Sequence, residues 1–138
     1  MAASAATSGF GAVFAYESAA DGFLALGEVL SITPPPKSRD TIEATHMMSD
    51  DGYREFIGGL RDGGESSLAL NYTEAGSTLL ETLFAADVET FRITLAGAST
   101  VIFNGIITAF SLDEVVIDDK MAMSLTIKVT GKPTFLAV

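Results

Sequence analysis

The residues best suited to chemistry in this 138-residue sequence are one histidine and three nearby carboxylates, Glu43, His46, Asp50 and Asp51. A histidine surrounded by carboxylates can ligate zinc. Motifs that hold a metal on a helix use two histidines at helical spacing, however, and this chain has only one histidine. It also has no cysteine, so thiolate ligands and disulfides are excluded. We therefore expect solvated loop polarity here, with no metal and no other cofactor.

The glycine-rich stretch DGYREFIGGLRDGGE, residues 51–65, raises the question of phosphate binding. A phosphate-binding loop ends in Lys-Ser/Thr and leads into a helix, whose N-terminus favours the anion. This stretch has no such ending, and the pattern that follows it alternates like a strand. No G-x-S-x-G elbow is present, and His46 would have to serve as the sole catalytic base. The sequence therefore predicts a protein that is not an enzyme.

Charge and hydropathy point to self-association. With 18 acidic and 8 basic residues, the chain has a formal charge of −10 and is poorly suited to gripping nucleic acid, which requires basic residues that displace counterions. Its mean hydropathy of +0.37 is high for an acidic monomer, yet no stretch approaches the ~20 apolar residues of a membrane span. We therefore expect no membrane insertion and an apolar surface shared between copies. The N-terminus lacks the basic region of a signal peptide, which indicates cytoplasmic synthesis.

The periodicity of the apolar residues predicts mostly strands and one helix. Alternation favours strands, and the helical spacing of Leu79, Leu80, Leu83 and Phe84 favours a short amphipathic helix capped by Thr73 or Ser77. Sequential strands with short connections are usually antiparallel. We expect an α+β, mainly β fold, an antiparallel β-sandwich or partly open barrel with one short flanking helix and a long extended loop. The expected strands are 26–32, 40–45 (a strand or one limb of a hairpin), 65–72, 89–96, 100–111 and 120–131, with the helix at 74–87.

Two segments lie outside the expected core. Residues 1–25 are read as an N-terminal arm, and residues 26–138 as the folded domain, within which residues 33–64 form the long loop. That division leaves roughly 80 residues for the core, a size at which a single core is marginal without partners. The arm contains aromatic residues that we expect to order on contact with another subunit: Phe10, Phe14, Tyr16 and Phe23.

The long loop combines apolar anchors with glycines and prolines that we expect to prevent a regular element. It either folds back as a lid over its own core or reaches into a neighbouring subunit. We favour the second interpretation, because oligomer burial is already required by the composition. The predicted contact residues are the apolar Met47, Met48, Tyr53, Phe56, Ile57 and Leu60, with Arg54, Glu55, Arg61 and Asp62 pairing at the rim.

These residues carry a resemblance. The pattern D-T-I-x-x-T-H, followed by D-G-Y-R-E-F-I-x-G-L-x-D-G-G-E and, near the end, by D-D-K and T-I-K-V-T-G-K-P, resembles the tail tube proteins of long-tailed, siphophage-type bacteriophages. It extends from Leu26 to about Pro133. The resemblance implies a protomer that forms hexameric rings, which stack into a tube through which DNA passes without specific binding. It also implies that the loop at 33–64 reaches the adjacent ring.

The same resemblance implies the partners and the setting. They are other copies of the chain, a tape measure protein, and tail terminator and initiator proteins, in a virion tail assembled in the host cytoplasm. Gene transfer agents and contractile-tail particles share this architecture, so the type of particle stays open. A small barrel that binds a lipophilic ligand in its apolar interior is the alternative from a different class.

Overall fold

A computed structural model of the chain describes residues 4, 8–18, 22–95 and 99–136. Nine strands and one α-helix occur in this part of the chain. They are, in order, β1 Val13–Ser18, β2 Gly22–Ala25, β3 Val29–Thr33, β4 Ser38–Glu43, β5 Phe56–Asp62, β6 Glu65–Asn71, α1 Glu74–Ala85, β7 Glu89–Thr94, β8 Thr100–Leu112 and β9 Ala122–Leu136.

Seven strands form one antiparallel sheet in the order β2-β1-β7-β8-β9-β6-β3, and β4 and β5 form a separate hairpin. The edge strands β2 and β3 are consecutive in the chain and are joined by residues 26–28 alone. A flat seven-stranded sheet would place its edges about 29 Å apart, whereas this connection spans at most ~14 Å. The sheet is therefore strongly curled. In the connection between β2 and β3, the amide of Leu26 donates a hydrogen bond to the carbonyl oxygen of Phe14 in β1 at 2.7 Å.

The core lies on the concave side of this curled sheet, because apolar residues alternate along its long central strands. In β9 every second side chain from Met123 to Val129 is buried, and β8 shows the same alternation from Val101 to Ile107. Phe14, Phe91 and Phe103 fill the interior, with ring centroids 5.6–6.4 Å apart. The interior is thus occupied by side chains, which does not favour the alternative of a lipophile-binding barrel.

Helix α1 packs against the sheet through its apolar face. Leu80 and Leu83 are buried, and Phe84 meets Phe110 of β8 edge to face, with ring centroids 5.5 Å apart. Thr73 is the N-cap, since its Oγ1 accepts a hydrogen bond from the amide of Gly76 at 3.0 Å.

The expected fold class, α+β and mainly β with antiparallel strands and a flanking helix, is confirmed, and the sheet is curled but not a closed barrel. Within the described residues, no helix has the length and apolar character needed to cross a membrane.

Residues 13–18 and 22–25, expected to belong to an N-terminal arm, are strands of the main sheet. The side chain of Phe14 has no exposed surface, so the expectation that it contacts another subunit is wrong. Tyr16 packs against the same core in part, and Phe23 lies under the guanidinium of Arg92, 4.4 Å from ring centroid to carbon. The short β1 lacks a long alternating pattern, and its cross-strand partner β7 lies about 75 residues away in the chain, so its burial depends on a remote pairing.

Gly105 in β8 permits the closest approach inside the sheet. A Cβ atom at this position would clash with Cγ2 of Ile127 and would lie 3.2 Å from the carbonyl oxygen of Lys128. The side chain of Ile127 thus occupies the space that a side chain at position 105 would need.

We therefore expect Gly105→Ala to lower the free energy of unfolding by about 1–3 kcal/mol, as overpacking of a core does. Chemical denaturation followed by circular dichroism measures this change. Gly9→Ala is the matched control, because a Cβ there meets nothing within 4 Å; we expect a change of no more than about 0.5 kcal/mol. Equal effects of the two substitutions would contradict the packing described for Gly105.

Candidate assembly interface

The β4–β5 hairpin and its connection, residues 38–62, form an arm that is almost wholly exposed. β4 and β5 pair in antiparallel register from Ser38 with Asp62 to Glu43 with Phe56. The expectation that glycines and prolines prevent a regular element here is wrong, whereas β4 agrees with the strand or hairpin limb expected at 40–45. Gly58 and Gly59 lie within β5 beside Arg39 and Asp40 of β4. The strand pairing shifts register there, and the neighbouring residues leave little room for a side chain at either glycine.

Seven large apolar side chains of the arm are exposed in the isolated chain. Met47 is 100% exposed and Leu60 is 86% exposed. The full set is Ile42, Met47, Met48, Tyr53, Phe56, Ile57 and Leu60, each at least half exposed. Such a density of exposed apolar groups on one projecting element marks an interaction surface. The lid interpretation is therefore not favoured, because these side chains do not cover the core of their own chain.

A hydrogen-bond network shapes the tip of the arm. The amide of Ala44 donates to the carbonyl oxygen of Glu55 at 2.8 Å, and the amide of Glu55 donates to Thr45 Oγ1 at 2.9 Å. The carboxylate of Glu55 accepts from Ser49 Oγ at 2.6 Å and lies 3.2 Å from His46 Nε2. The tip is thus held by its own polar residues, while its apolar side chains point to solvent.

Two details of the tip explain its residue types. His46 Nδ1 accepts from the amide of Met48 at 3.2 Å, which places the proton of a neutral ring on Nε2, facing Glu55. The chain then turns through Asp51 and Gly52, whose φ angles of 51° and 72° lie in the left-handed region. Asp and Gly tolerate that region better than other residues do. Histidine therefore has a structural partner here, and its role requires no metal.

The base of the arm is fixed to the main sheet. Lys128 Nζ of β9 lies 3.4 Å from Asp62 Oδ1, and the same oxygen accepts from the amide of Gly64 at 2.9 Å. The Gly64 hydrogen bond and, to a smaller extent, Lys128 lower the pKa of Asp62 below its usual value, so this carboxylate stays ionised at mildly acidic pH. The amide of Val129 donates to the carbonyl oxygen of Gly64 at 3.0 Å. These contacts set the direction in which the arm leaves the sheet.

The structure places the ten predicted loop contact residues on this one arm. The six apolar ones are all exposed, as are Arg54 and Arg61. Glu55 and Asp62 are already paired within the chain, with His46 and Lys128 respectively. The sequence analysis did not identify Ile42 as an exposed apolar residue of the arm, nor the hydrogen bonds of Thr45, His46 and Ser49 at its tip. The one sequence feature that could have indicated these hydrogen bonds is the spacing of Thr45 and His46 from Glu55 in the quoted motifs.

The remaining candidates are dispersed. Of the N-terminal aromatic residues, Phe10 is 92% exposed, whereas Phe14 lies in the core. Glu43, Asp50 and Asp51 do not assemble with His46 into a metal site. In the described part of the chain, no three histidine or acidic side chains are grouped as metal ligands are.

Comparison with known proteins gives a consistent result. The family model for the lambda phage tail tube protein matches residues 7–136. No curated protein matches the chain. Among solved structures, the tail of an empty gene transfer agent particle, refined helically with C6 symmetry, is similar with a TM-score of 0.77 and 18% identity, covering 96% of this chain and 100% of that chain.

Two further structures share the fold. One, from an extracellular contractile injection system and described as its sheath/tube terminator, gives a TM-score of 0.76 at 13% identity, covering 99% of this chain and 100% of that one. The SPP1 tail tube gives 0.66 at 10% identity, covering 92% and 77%. At these identities the likeness concerns the fold. The family model, by contrast, spans nearly the whole sequence, and the chain therefore belongs to the lambda phage tail tube protein family.

Proposed function

We propose that six copies of this chain close into a ring, that rings stack into a tail tube, and that the β4–β5 arm of each copy inserts into the adjacent ring. The exposed apolar arm is the observation that carries this proposal. Each large apolar side chain that becomes fully buried contributes about 1.5–3 kcal/mol. Seven such groups on one element supply a strong driving force for contact with a neighbour.

The sixfold ring rests on a relative. The similar tail of a gene transfer agent particle was refined with C6 symmetry. A contact between two different faces of identical subunits generates a closed ring or an open stack, depending on its rotation. A tube needs both, so we assign ring closure to the sides of the curled sheet and stacking to the arm.

The chemistry of the tube wall suits passage of DNA. Each copy carries a formal charge of −10, which repels phosphates instead of binding them through released counterions. The role is structural and not enzymatic.

Tube-terminating proteins are natural partners, since a sheath/tube terminator and a tube-terminating cap are among the similar structures. A tape measure protein and an initiator complete the set, and assembly in the host cytoplasm precedes incorporation into the virion.

We expect concentrated purified protein to form rings or tubes of uniform diameter, alone or with tail initiator proteins. Negative-stain electron microscopy and size-exclusion chromatography would show them. A protein that stays monomeric at every concentration, including with initiators, would contradict the proposal.

A further inference from the structure

A pocket at the base of the arm concentrates positive charge on this acidic protein. We call it the basal pocket; its volume is about 420 Å³, and it lies between the arm and the last part of β9. Val129 and Pro133 supply apolar lining, and Lys37, Arg61 and Lys132 supply charge. Three of the eight basic residues of the chain thus line one pocket.

Lys37 lies over the ring of Phe135, 4.0 Å from its centroid, but within the described residues none of the three cations has an acidic partner of its own. Arg39 is the direct cross-strand partner of Arg61, an arrangement of like charges that is destabilising by itself. Among the described residues, the ion pairs are those of His46 with Glu55 and of Lys128 with Asp62. Asp62, the one acidic residue of the pocket, is therefore already occupied by Lys128. The basal pocket retains a net positive charge that an acidic, partly apolar segment would neutralise.

The β8–β9 connection has the complementary composition. Residues 113–121, which we call the acidic loop, contain four acidic residues and one basic one and are exposed throughout. At its centre the side chains of Val115 and Ile117 are 64% and 97% exposed. The acidic loop is thus an apolar tip flanked by carboxylates, and the basal pocket is an apolar floor flanked by cations.

The two features lie at opposite ends of the same strand. The acidic loop ends where β9 begins, at Ala122, and the basal pocket is lined from Val129 to Pro133 of β9. A strand rises about 3.3 Å per residue, so roughly 25–35 Å separate them. The loop of one chain therefore does not reach its own pocket. Complementary patches at opposite ends of a subunit make a head-to-tail contact, the kind that propagates a stack.

We propose that the acidic loop of one copy docks in the basal pocket of a copy in the adjacent ring. This inference rests on the proposed stacking of rings and adds a second inter-ring contact, electrostatic in character, beside the apolar arm. Its strength falls with ionic strength, since exposed charges are screened over about 8–10 Å at physiological salt.

Charge reversal at both partners tests the contact. Lys132→Glu with Arg61→Glu, and separately Asp118→Lys with Asp119→Lys, are each expected to reduce the yield of tubes at least tenfold while rings still form. The combination of all four substitutions is expected to restore tubes. Glu81→Lys is the matched control, because it reverses an exposed charge on α1, outside both the acidic loop and the basal pocket; tube yield should not fall. Circular dichroism verifies that each variant is folded.

Cross-linking gives an independent readout, since the natural sequence has no cysteine. With Asp118→Cys and Lys132→Cys in one chain, oxidised tubes are expected to yield a ladder of covalent multimers, whereas each single variant yields none. Failure of the four-substitution variant to recover, together with absence of a ladder in tubes that do form, would overturn this contact and leave the proposed tube intact. Absence of rings and tubes from the unaltered protein would instead refute the proposed function.

Discussion

Deletion of Met48–Gly59 is expected to leave a folded protein that no longer forms tubes. The deleted residues are exposed and contribute no side chain to the core. The anchoring pair of Asp62 and Lys128 lies outside the deletion. Loss of four exposed apolar side chains, Met48, Tyr53, Phe56 and Ile57, removes on the order of 6 kcal/mol from each contact if they are buried on assembly. That corresponds to about four orders of magnitude in an association constant.

The measurement compares tube yield by electron microscopy with the thermal unfolding of the soluble protein. A variant with serine at Tyr53, Phe56 and Ile57 keeps the length of the arm and should show the same loss of tubes. Thr41→Ser with Glu43→Gln is the matched control on the same hairpin, because both residues are exposed and polar; tubes should persist. Tubes grown by the deletion variant would refute the stacking role of the arm.

Phe14→Ala is expected to lower the free energy of unfolding of the protein by about 3–5 kcal/mol. Its ring is fully buried and lies 5.6 Å from the ring of Phe91 and 6.4 Å from that of Phe103. Removing it opens a cavity at the centre of the core, where neighbouring rings relax only in part. Denaturant titration of dilute, unassembled protein measures the effect.

Phe10→Ala provides the comparison within the same segment. Phe10 is 92% exposed, so its replacement should change stability by no more than about 0.5 kcal/mol. Comparing the two substitutions thereby shows whether β1 is a strand of the core or part of an arm that becomes ordered only on contact with another subunit. Similar small effects of both substitutions would show that residues 13–18 do not belong to the core.

Long alternating patterns predicted much of the fold. In β6 and β9 the alternation of Leu68 and Leu70, and of Met123 to Val129, identified the buried face directly, because one face of each strand meets the core. The helix also followed from local pattern, which left Thr73 and Ser77 as candidate caps, and the structure shows Thr73 as the cap. Local signals of this kind need no knowledge of the rest of the chain.

The remaining features depend on contacts that are remote in sequence. β1 pairs with β7, and its six residues are too few to establish a period by which Phe14 stands out as a core residue. The arm was located by its apolar residues, and its first strand was expected at 40–45 as a strand or one limb of a hairpin. The second strand, β5, was not expected, because Gly58 and Gly59 argue against a strand in isolation. The tip network joins Glu55 to Thr45 and His46 across a turn, a closure that composition alone does not reveal.

A helical reconstruction of assembled tubes by cryo-electron microscopy would show directly whether the arm joins adjacent rings. We expect rings of six copies in which residues 44–55 of each copy contact a copy in the adjacent ring and the side chains of Met47 and Tyr53 are buried there. A tube in which the arm folds back on its own chain, or projects into solvent with these side chains exposed, would contradict this expectation.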